Sequence, residues 1–259
     1  MKVYCINLDR RPDRLDYMTG LFAQHRIAFE RVAAVDGQDP QVAAAAAGCG
    51  PGMSGRKMSA GAYACTQSHR EVWRRLVESG SAYAMVFEDD MVVCDGIAGY
   101  LDEDWIPADA DLVRLETFRT RIHRARGRGI DAKGRRLYRL RSRQWGTGCY
   151  MISAKAAQRL FEATGNFADP IDEILFNEAS PQFQLLTTYQ MVPAPTVQGD
   201  RLATTPASWA MTSITERFAR NQGFPTELDE TGLARLRRRL KEEARSVLSG
   251  TRYIVVPFG

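Results

Sequence analysis

No apolar run in this chain of 259 residues approaches the ~20 residues needed to span a bilayer. The opening stretch, MKVYCINLDRRPDR, brings in charge too soon for a secretory signal peptide. Cysteine is sparse. The five residues Cys5, Cys49, Cys65, Cys94 and Cys149 are scattered, odd in number and lack a CxxC pair. That pattern argues against a zinc site and a disulfide framework, and for a reducing compartment. There is no internal repeat. The Gly-rich stretch GCGPGMSGRK reads as a loop and fails the phosphate-loop pattern, because Arg56 follows Gly55 where Lys is required. These absences together predict a cytoplasmic protein, soluble or at most peripheral to the inner face of the membrane.

What is present has the balance of an ordinary globular chain. Hydrophobic residues make up 44% and charged residues 25%, enough for one large α/β domain or two small ones. The net charge of +4 comes mostly from Arg, which suits phosphate or carboxylate groups without by itself indicating nucleic acid. Residues 2–8 read as a buried strand, followed by a turn in which Asp9 or Asp13 can cap a helix. That helix carries Leu15, Met18, Leu21 and Phe22 at helical spacing, and a second strand follows over 29–37. Such an opening predicts an α/β fold with a partly parallel sheet. A long helix is expected over 59–79, with Val72 and Leu76 on one face and His69 one turn from Trp73. Further strands are expected over 109–118 and 145–153, with helices after 153 and after the turn at 169–172. The Arg-dense segment 119–144 reads as a hairpin or excursion. Residues 233–248 form a basic amphipathic pattern with Leu233, Leu236, Leu240 and Val247 on one stripe, before an apolar tail, YIVVPFG.

The most informative stretch is AMVFEDDMVV, residues 84–93, where Glu88, Asp89 and Asp90 interrupt a buried strand. An unpaired carboxylate carried into an apolar interior costs several kcal/mol, and three together repel one another. They persist cheaply at a strand end facing a cleft, preferably with a cation. A hard divalent ion takes one or two carboxylates together with phosphate oxygens and water. Strand alternation would turn Glu88 and Asp90 to the same side and Asp89 elsewhere. Open α/β sheets bind ligands beyond the carboxyl ends of their strands, where this triplet falls. An acidic strand-to-loop turn is the bland alternative, and spacing does not choose between them or among metal-dependent chemistries.

Six motifs in order make the choice: INLDRRPDR at the N-terminus, CTQSH with Trp73 (65–73), FEDD (87–90), VRLET (113–117), WGTGCYMIS (145–153) and PIDEILF (170–176). With them the chain resembles glycosyltransferase family 25, which includes bacterial lipooligosaccharide galactosyltransferases and procollagen galactosyltransferases; a terminal VPF adds to the bacterial likeness. The resemblance covers about residues 2–200. It implies an α/β, GT-A-like nucleotide-sugar-binding fold, with a mixed, mostly parallel sheet flanked by helices. It implies inverting transfer from a UDP-sugar, UDP-galactose first, and a DxD-type role for EDD in holding Mn²⁺ or Mg²⁺ against the diphosphate. The acceptor would be a glycan or glycolipid. The catalytic domain would span 1–215, with 216–259 packed on it as a basic helix and apolar tail.

Residue roles follow from that likeness. Asp90 and Glu88 would ligate the metal, and Asp89 would contact ribose or the donor sugar. Asn7 and Leu8 would lie under the uridine, while Arg14 and Arg11 would bind the diphosphate, or else cap and solvate the first helix. His69 would contact substrate or sit as a satisfied core histidine. Ala62 stands where many members carry Glu, so any role for that acid is absent or relocated. Asp172 is the first candidate for the base that takes the acceptor proton, with helix N-cap as its equally natural alternative; Glu173 and Glu116 come next. Gly146 and Thr147 would allow close backbone approach to a ligand, or meet a packing requirement.

Two rival readings remain. A nucleic-acid-binding protein could use Arg119, Arg121, Arg124, Arg126 and Arg128 along a phosphate backbone, although the stretch offers few aromatics besides Tyr138 to stack on bases. A metal-dependent nucleotidyl or phosphoryl transferase could use the same carboxylates. In the glycosyltransferase reading the arginines rim the acceptor site. The C-terminal basic helix would then lie on an anionic membrane or pack on the main domain.

Overall fold

Among the described residues the strands and α-helices follow in the order β1 (Lys2–Asn7), α1 (Pro12–Gln24), β2 (Glu30–Ala33), α2 (Pro40–Gly48), α3 (Ala60–Ser79), β3 (Tyr83–Glu88), β4 (Met91–Val93), β5 (Leu112–Arg114), β6 (Arg121–Ala125), β7 (Ile130–Ala132), β8 (Arg135–Arg139), β9 (Cys149–Ser153), α4 (Ala154–Ala163), α5 (Ile171–Phe176), α6 (Pro181–Gln184), β10 (Thr188–Val192), β11 (Thr196–Gln198) and β12 (Thr251–Val255). The computed structural model describes residues 1–202 and 250–259. The predicted 233–248 helix, and the division placed between 215 and 216, lie outside the described residues.

Eight strands form one sheet in the order β2-β1-β3-β9-β5-β10-β8-β7. β9 and β8 run antiparallel to both of their neighbours, and the other six strands share one direction. The sheet is therefore mixed and mostly parallel in strand direction. Alternation along the central strands supplies both of its faces. Tyr4, Ile6, Ala84 and Val86 join the layer with Trp73, Leu76 and Leu160, while Val3, Cys5, Met85 and Phe87 join Met18 and Phe22 on the other side. The reversal of β9 has a functional consequence. It brings the loop entering β9, residues 146–148, to the edge where β1, β3 and β5 end.

Helix α3 follows its sequence signals closely. Ser59 caps α3 by accepting from the Ala62 amide at 3.2 Å, and Gly80 closes it at φ 70°, the left-handed value that glycine adopts without steric cost. Val72, Trp73 and Leu76 are fully buried. The first helix differs from expectation. Its N-cap is Arg11 with no side-chain cap, and Asp13 is taken up by the Arg11 guanidinium at 2.7 and 2.9 Å, while Asp9 pairs with Arg31. Pro12 at the first helical position removes one amide that would need capping, which makes a side-chain cap less necessary. The Ala-rich stretch before the Gly-rich loop is also a helix, α2, capped by Asp39 on the Gln41 amide at 2.8 Å.

Segment 119–144 does form strands: β7 and β8 make a hairpin on the sheet edge, and β6 pairs with β12. The apolar tail thus folds back onto the body. Val256 is buried in the core, and its carbonyl accepts from Thr117 Oγ1 at 2.7 Å. Among the described residues, no helix is long and apolar enough to cross a membrane.

Candidate active site

The three carboxylates at the end of β3 part company. β3 stops at Glu88 and Asp89–Asp90 turn into β4, so strand alternation does not carry through to Asp90. Glu88 turns to Thr147 Oγ1, which donates to its Oε1 at 2.7 Å, and to His69 Nε2 at 3.4 Å. Asp89 has both oxygens occupied: Arg14 Nη1 donates to Oδ1 at 2.9 Å and Asn7 Nδ2 to Oδ2 at 2.7 Å. Asp90 is different. Its side chain is 6% exposed, Arg14 Nη1 stands 3.7 Å from Oδ2, and buried Oδ1 has no hydrogen-bond partner.

The surroundings explain the division. Asn7, at the end of β1, is buried with its amide engaged on both sides: Nδ2 also donates to the Arg11 carbonyl at 3.0 Å, and Oδ1 accepts from Arg31 Nε at 3.1 Å. Asn7 and Arg14 therefore anchor Asp89. Leu8 is half-buried beside them, and Arg11 is paired with Asp13 as described. Opposite Asp90, the Gly199 amide donates to the Asp90 carbonyl at 2.8 Å. This brings in Asp200, whose side chain is 7% exposed. Asp200 Oδ1 is buried without a hydrogen bond, although Arg201 Nε stands 3.3 Å away.

Electrostatics sharpen the contrast. Burial pushes the Glu88 carboxyl up, but His69, Thr147 and Arg14 outweigh it and hold the group below the ordinary glutamate value. Burial, then repulsion from Glu88, pushes Asp90 well above the carboxylate range, with Arg14 only partly offsetting them. Asp200 is also raised, first by burial. Two buried acids whose ionised forms are disfavoured, each with an oxygen that accepts no hydrogen bond, are what a bound cation would satisfy.

The other wall comes from the loop entering β9 and from α5. Asp172 lies in the first turn of α5, whose N-cap is Pro170, so the helix-cap alternative for Asp172 does not hold. Its Oδ2 instead faces the Gly146 amide at 3.4 Å. Burial raises its pKa above the ordinary aspartate value, opposed by Gly146 and Arg143. Glu173 is tied to Arg143 and to Asn177 Nδ2 at 2.6 Å. Glu116 is fully buried against Arg114, with Nη2 donating to Oε1 at 3.0 Å. Glu173 is thus held through both oxygens, whereas Glu116 Oε2 is buried without a hydrogen-bond partner. Gly146 has φ 77°, and a Cβ there would meet the Phe118 ring at 2.5 Å and Glu116 Oε1 at 2.9 Å, so packing alone demands glycine. His69 is fully buried and bonds Tyr150 Oη through Nδ1 at 2.8 Å.

This constellation lies at the carboxyl ends of parallel strands and falls inside a region with known relatives. The profile described as "Glycosyltransferase family 25 (LPS biosynthesis protein)" matches residues 1–175. The chain belongs to glycosyltransferase family 25. It is 30% identical over 189 residues to the lacto-N-neotetraose biosynthesis glycosyltransferase LgtB of Neisseria meningitidis serogroup B, covering 69% of this chain and 68% of the relative. It is 27% identical over 210 residues to the lipooligosaccharide biosynthesis protein lic2B of Haemophilus influenzae, covering 77% and 76%. A shorter match, 35% identical over 97 residues, covers 35% of this chain and 16% of procollagen galactosyltransferase 1 of Danio rerio.

In this glycosyltransferase the sequence had pointed to Glu88, Asp89, Asp90, His69, Thr147 and Asp172, and the fold gathers them at one edge of the sheet. Three neighbours had been missed. Arg31 orients Asn7, with no signal beyond being one arginine among many. Asp200 follows β11 in VQGD, where an acid after a buried strand repeats the pattern of the EDD triplet. Cys65 sits one helical turn before His69, a C-x-x-x-H spacing that a search for CxxC passes over.

Proposed function

We propose that this glycosyltransferase moves galactose from UDP-galactose to a hydroxyl of a glycan acceptor of the lipooligosaccharide type, with inversion and with Mn²⁺ or Mg²⁺ bound. The observation that carries the reading is the buried, unpartnered Asp90 Oδ1 beside Asp200 at the carboxyl edge of the sheet. An all-oxygen donor set suits a hard divalent ion, with substrate phosphate and water filling the remaining positions. Asp90 would hold the ion, with Glu88 directly or through water and Asp200 from the facing turn. A bound ion supplies charge neutralisation for the departing UDP.

The chain's own residues supply the rest. Arg14 and Asn7 fix Asp89, and through it the turn that aims Asp90. Asp172 takes the proton from the acceptor hydroxyl as that oxygen attacks the anomeric carbon opposite UDP; its raised pKa brings it nearer to the working pH, which favours a general base. Beside Asp172, Arg143 borders a groove of about 690 Å³ lined by Arg121, His123, Arg141 and Tyr253. Such a basic wall favours an acceptor bearing phosphate or carboxylate groups. Several arginines of the nucleic-acid alternative are engaged internally: Arg124 stacks 3.7 Å over Tyr138 and Arg126 bonds the Thr251 carbonyl at 2.9 Å.

The test is UDP release from a panel of UDP-sugars with Mn²⁺, with and without glycan acceptors, using Asp90→Asn as control. Metal-dependent release selective for UDP-galactose, lost by at least about 100-fold in the variant, is expected. No turnover and no metal-dependent UDP binding by calorimetry would sink the reading.

A further inference from the structure

Beside the proposed donor site stands a second group of metal-ligating side chains with different chemistry. Cys65 and His69 are four residues apart on α3 and so share one face of the helix. Glu88 approaches that face from the end of β3. One ligand atom from each of the three lies within 4.8 Å of the others, and His69 Nε2 is 3.4 Å from Glu88 Oε1. With metal–ligand bonds of 2.0–2.3 Å, tetrahedral zinc ligands sit about 3.3–3.8 Å apart. Side-chain rotation of roughly 1 Å would close this triad on an ion.

The surroundings favour that closure. Tyr150 Oη meets His69 Nδ1 at 2.8 Å and accepts from Trp73 Nε1 at 3.2 Å. With Nδ1 protonated and donating to Tyr150, Nε2 presents its lone pair toward Cys65 and Glu88, the arrangement in which an outer partner orients a ligating histidine. Glu88 is 24% exposed, which leaves an approach for the ion from the cleft and a fourth position for water. Sulfur and imidazole select borderline-soft ions rather than Mg²⁺ or Mn²⁺.

We propose that Cys65, His69 and Glu88 form a separate site for a thiophilic divalent cation such as Zn²⁺. Binding releases the Cys65 thiol proton to solvent and forms a metal–thiolate bond. Because Glu88 also faces the donor site, occupancy draws it and Thr147 away from nucleotide, so the ion antagonises donor binding.

Titration of the full-length, metal-free protein with Co²⁺ tests the site. A sulfur-to-cobalt charge-transfer band, displaced by Zn²⁺, is expected in the native chain and in Cys49→Ser and Cys94→Ser. Cys65→Ser should lose the band and bind Zn²⁺ about 100-fold more weakly. No band, or one that survives Cys65→Ser, overturns the proposal. Should Cys65→Ser fail to fold, peptide mapping after alkylation decides: Zn²⁺ should protect Cys65 in the native chain, and equal labelling with and without Zn²⁺ overturns the site. Zinc should also weaken UDP binding in the native chain but not in Cys65→Ser; unchanged UDP affinity would overturn the antagonism. The spectroscopic arm needs no turnover, so it stands or falls separately from the proposed glycosyl transfer.

Discussion

Arg14 Nη1 holds Asp89 Oδ1 at 2.9 Å across 75 residues of chain, and the same nitrogen stands 3.7 Å from Asp90 Oδ2. One cation thus ties the first helix to both aspartates of the β3 turn. Both of its partners are nearly buried, and Asn7 completes the hold on Asp89 at 2.7 Å. The pair is part of the framework that aims Asp90.

Arg14→Met should therefore act on folding before it acts on chemistry. It leaves two buried carboxylates without their cation, and breaking a buried pair from one side costs about 3–5 kcal/mol. Urea denaturation at pH 7 should show a loss of that size. A loss below about 1 kcal/mol would mean that the pair adds little and that Arg14 is free for another task.

Glu116 gives a dependence on pH. Burial, opposed by Arg114 and reinforced by Glu88, pushes its carboxyl from 4.5 up to about 7. The same burial lowers Arg114, so desolvation outweighs attraction as seen from either partner. The folded state holds the Glu116 proton more tightly than the unfolded chain does. Its contribution is fully present below pH 4.5 and is lost as pH rises through about 7, on the order of 3 kcal/mol in all. In Glu116→Gln the corresponding decline in stability between those values should flatten. Parallel curves for the two proteins would refute the assignment.

Gly146→Ala should destabilise by about 2–4 kcal/mol. The left-handed φ of 77° penalises a side chain, and the new methyl would press on the Phe118 ring and Glu116, an overpacking cost of about 1–3 kcal/mol. Thermal melting checks this. An unchanged midpoint would show that the loop shifts freely and that Gly146 serves ligand approach instead.

Much of the architecture was legible in local patterns. Ser59 and Gly80 mark the ends of α3 because each makes its cap with its own neighbours. Alternation in β1 and β3 gave two buried faces because a central strand is covered on both sides. The family motifs carried the identity of the enzyme class, since six ordered signatures span the region that the family profile matches. Local signals misled at α1, where Pro12 and the Arg11–Asp13 pair displaced the expected acidic cap.

The sequence by itself determined the limits of α3, the two-sided strands and the acidic turn at residues 88–90, because these follow from neighbours within a few positions. Only the tertiary structure decided what each acid does. Asn7 and Arg14 close on Asp89 from 82 and 75 residues away, Thr147 reaches Glu88 from 59, and the Gly199 amide holds the Asp90 carbonyl beside Asp200. Whether a carboxylate is satisfied or left open depends on donors that packing brings from distant strands. No window of adjacent residues contains that information.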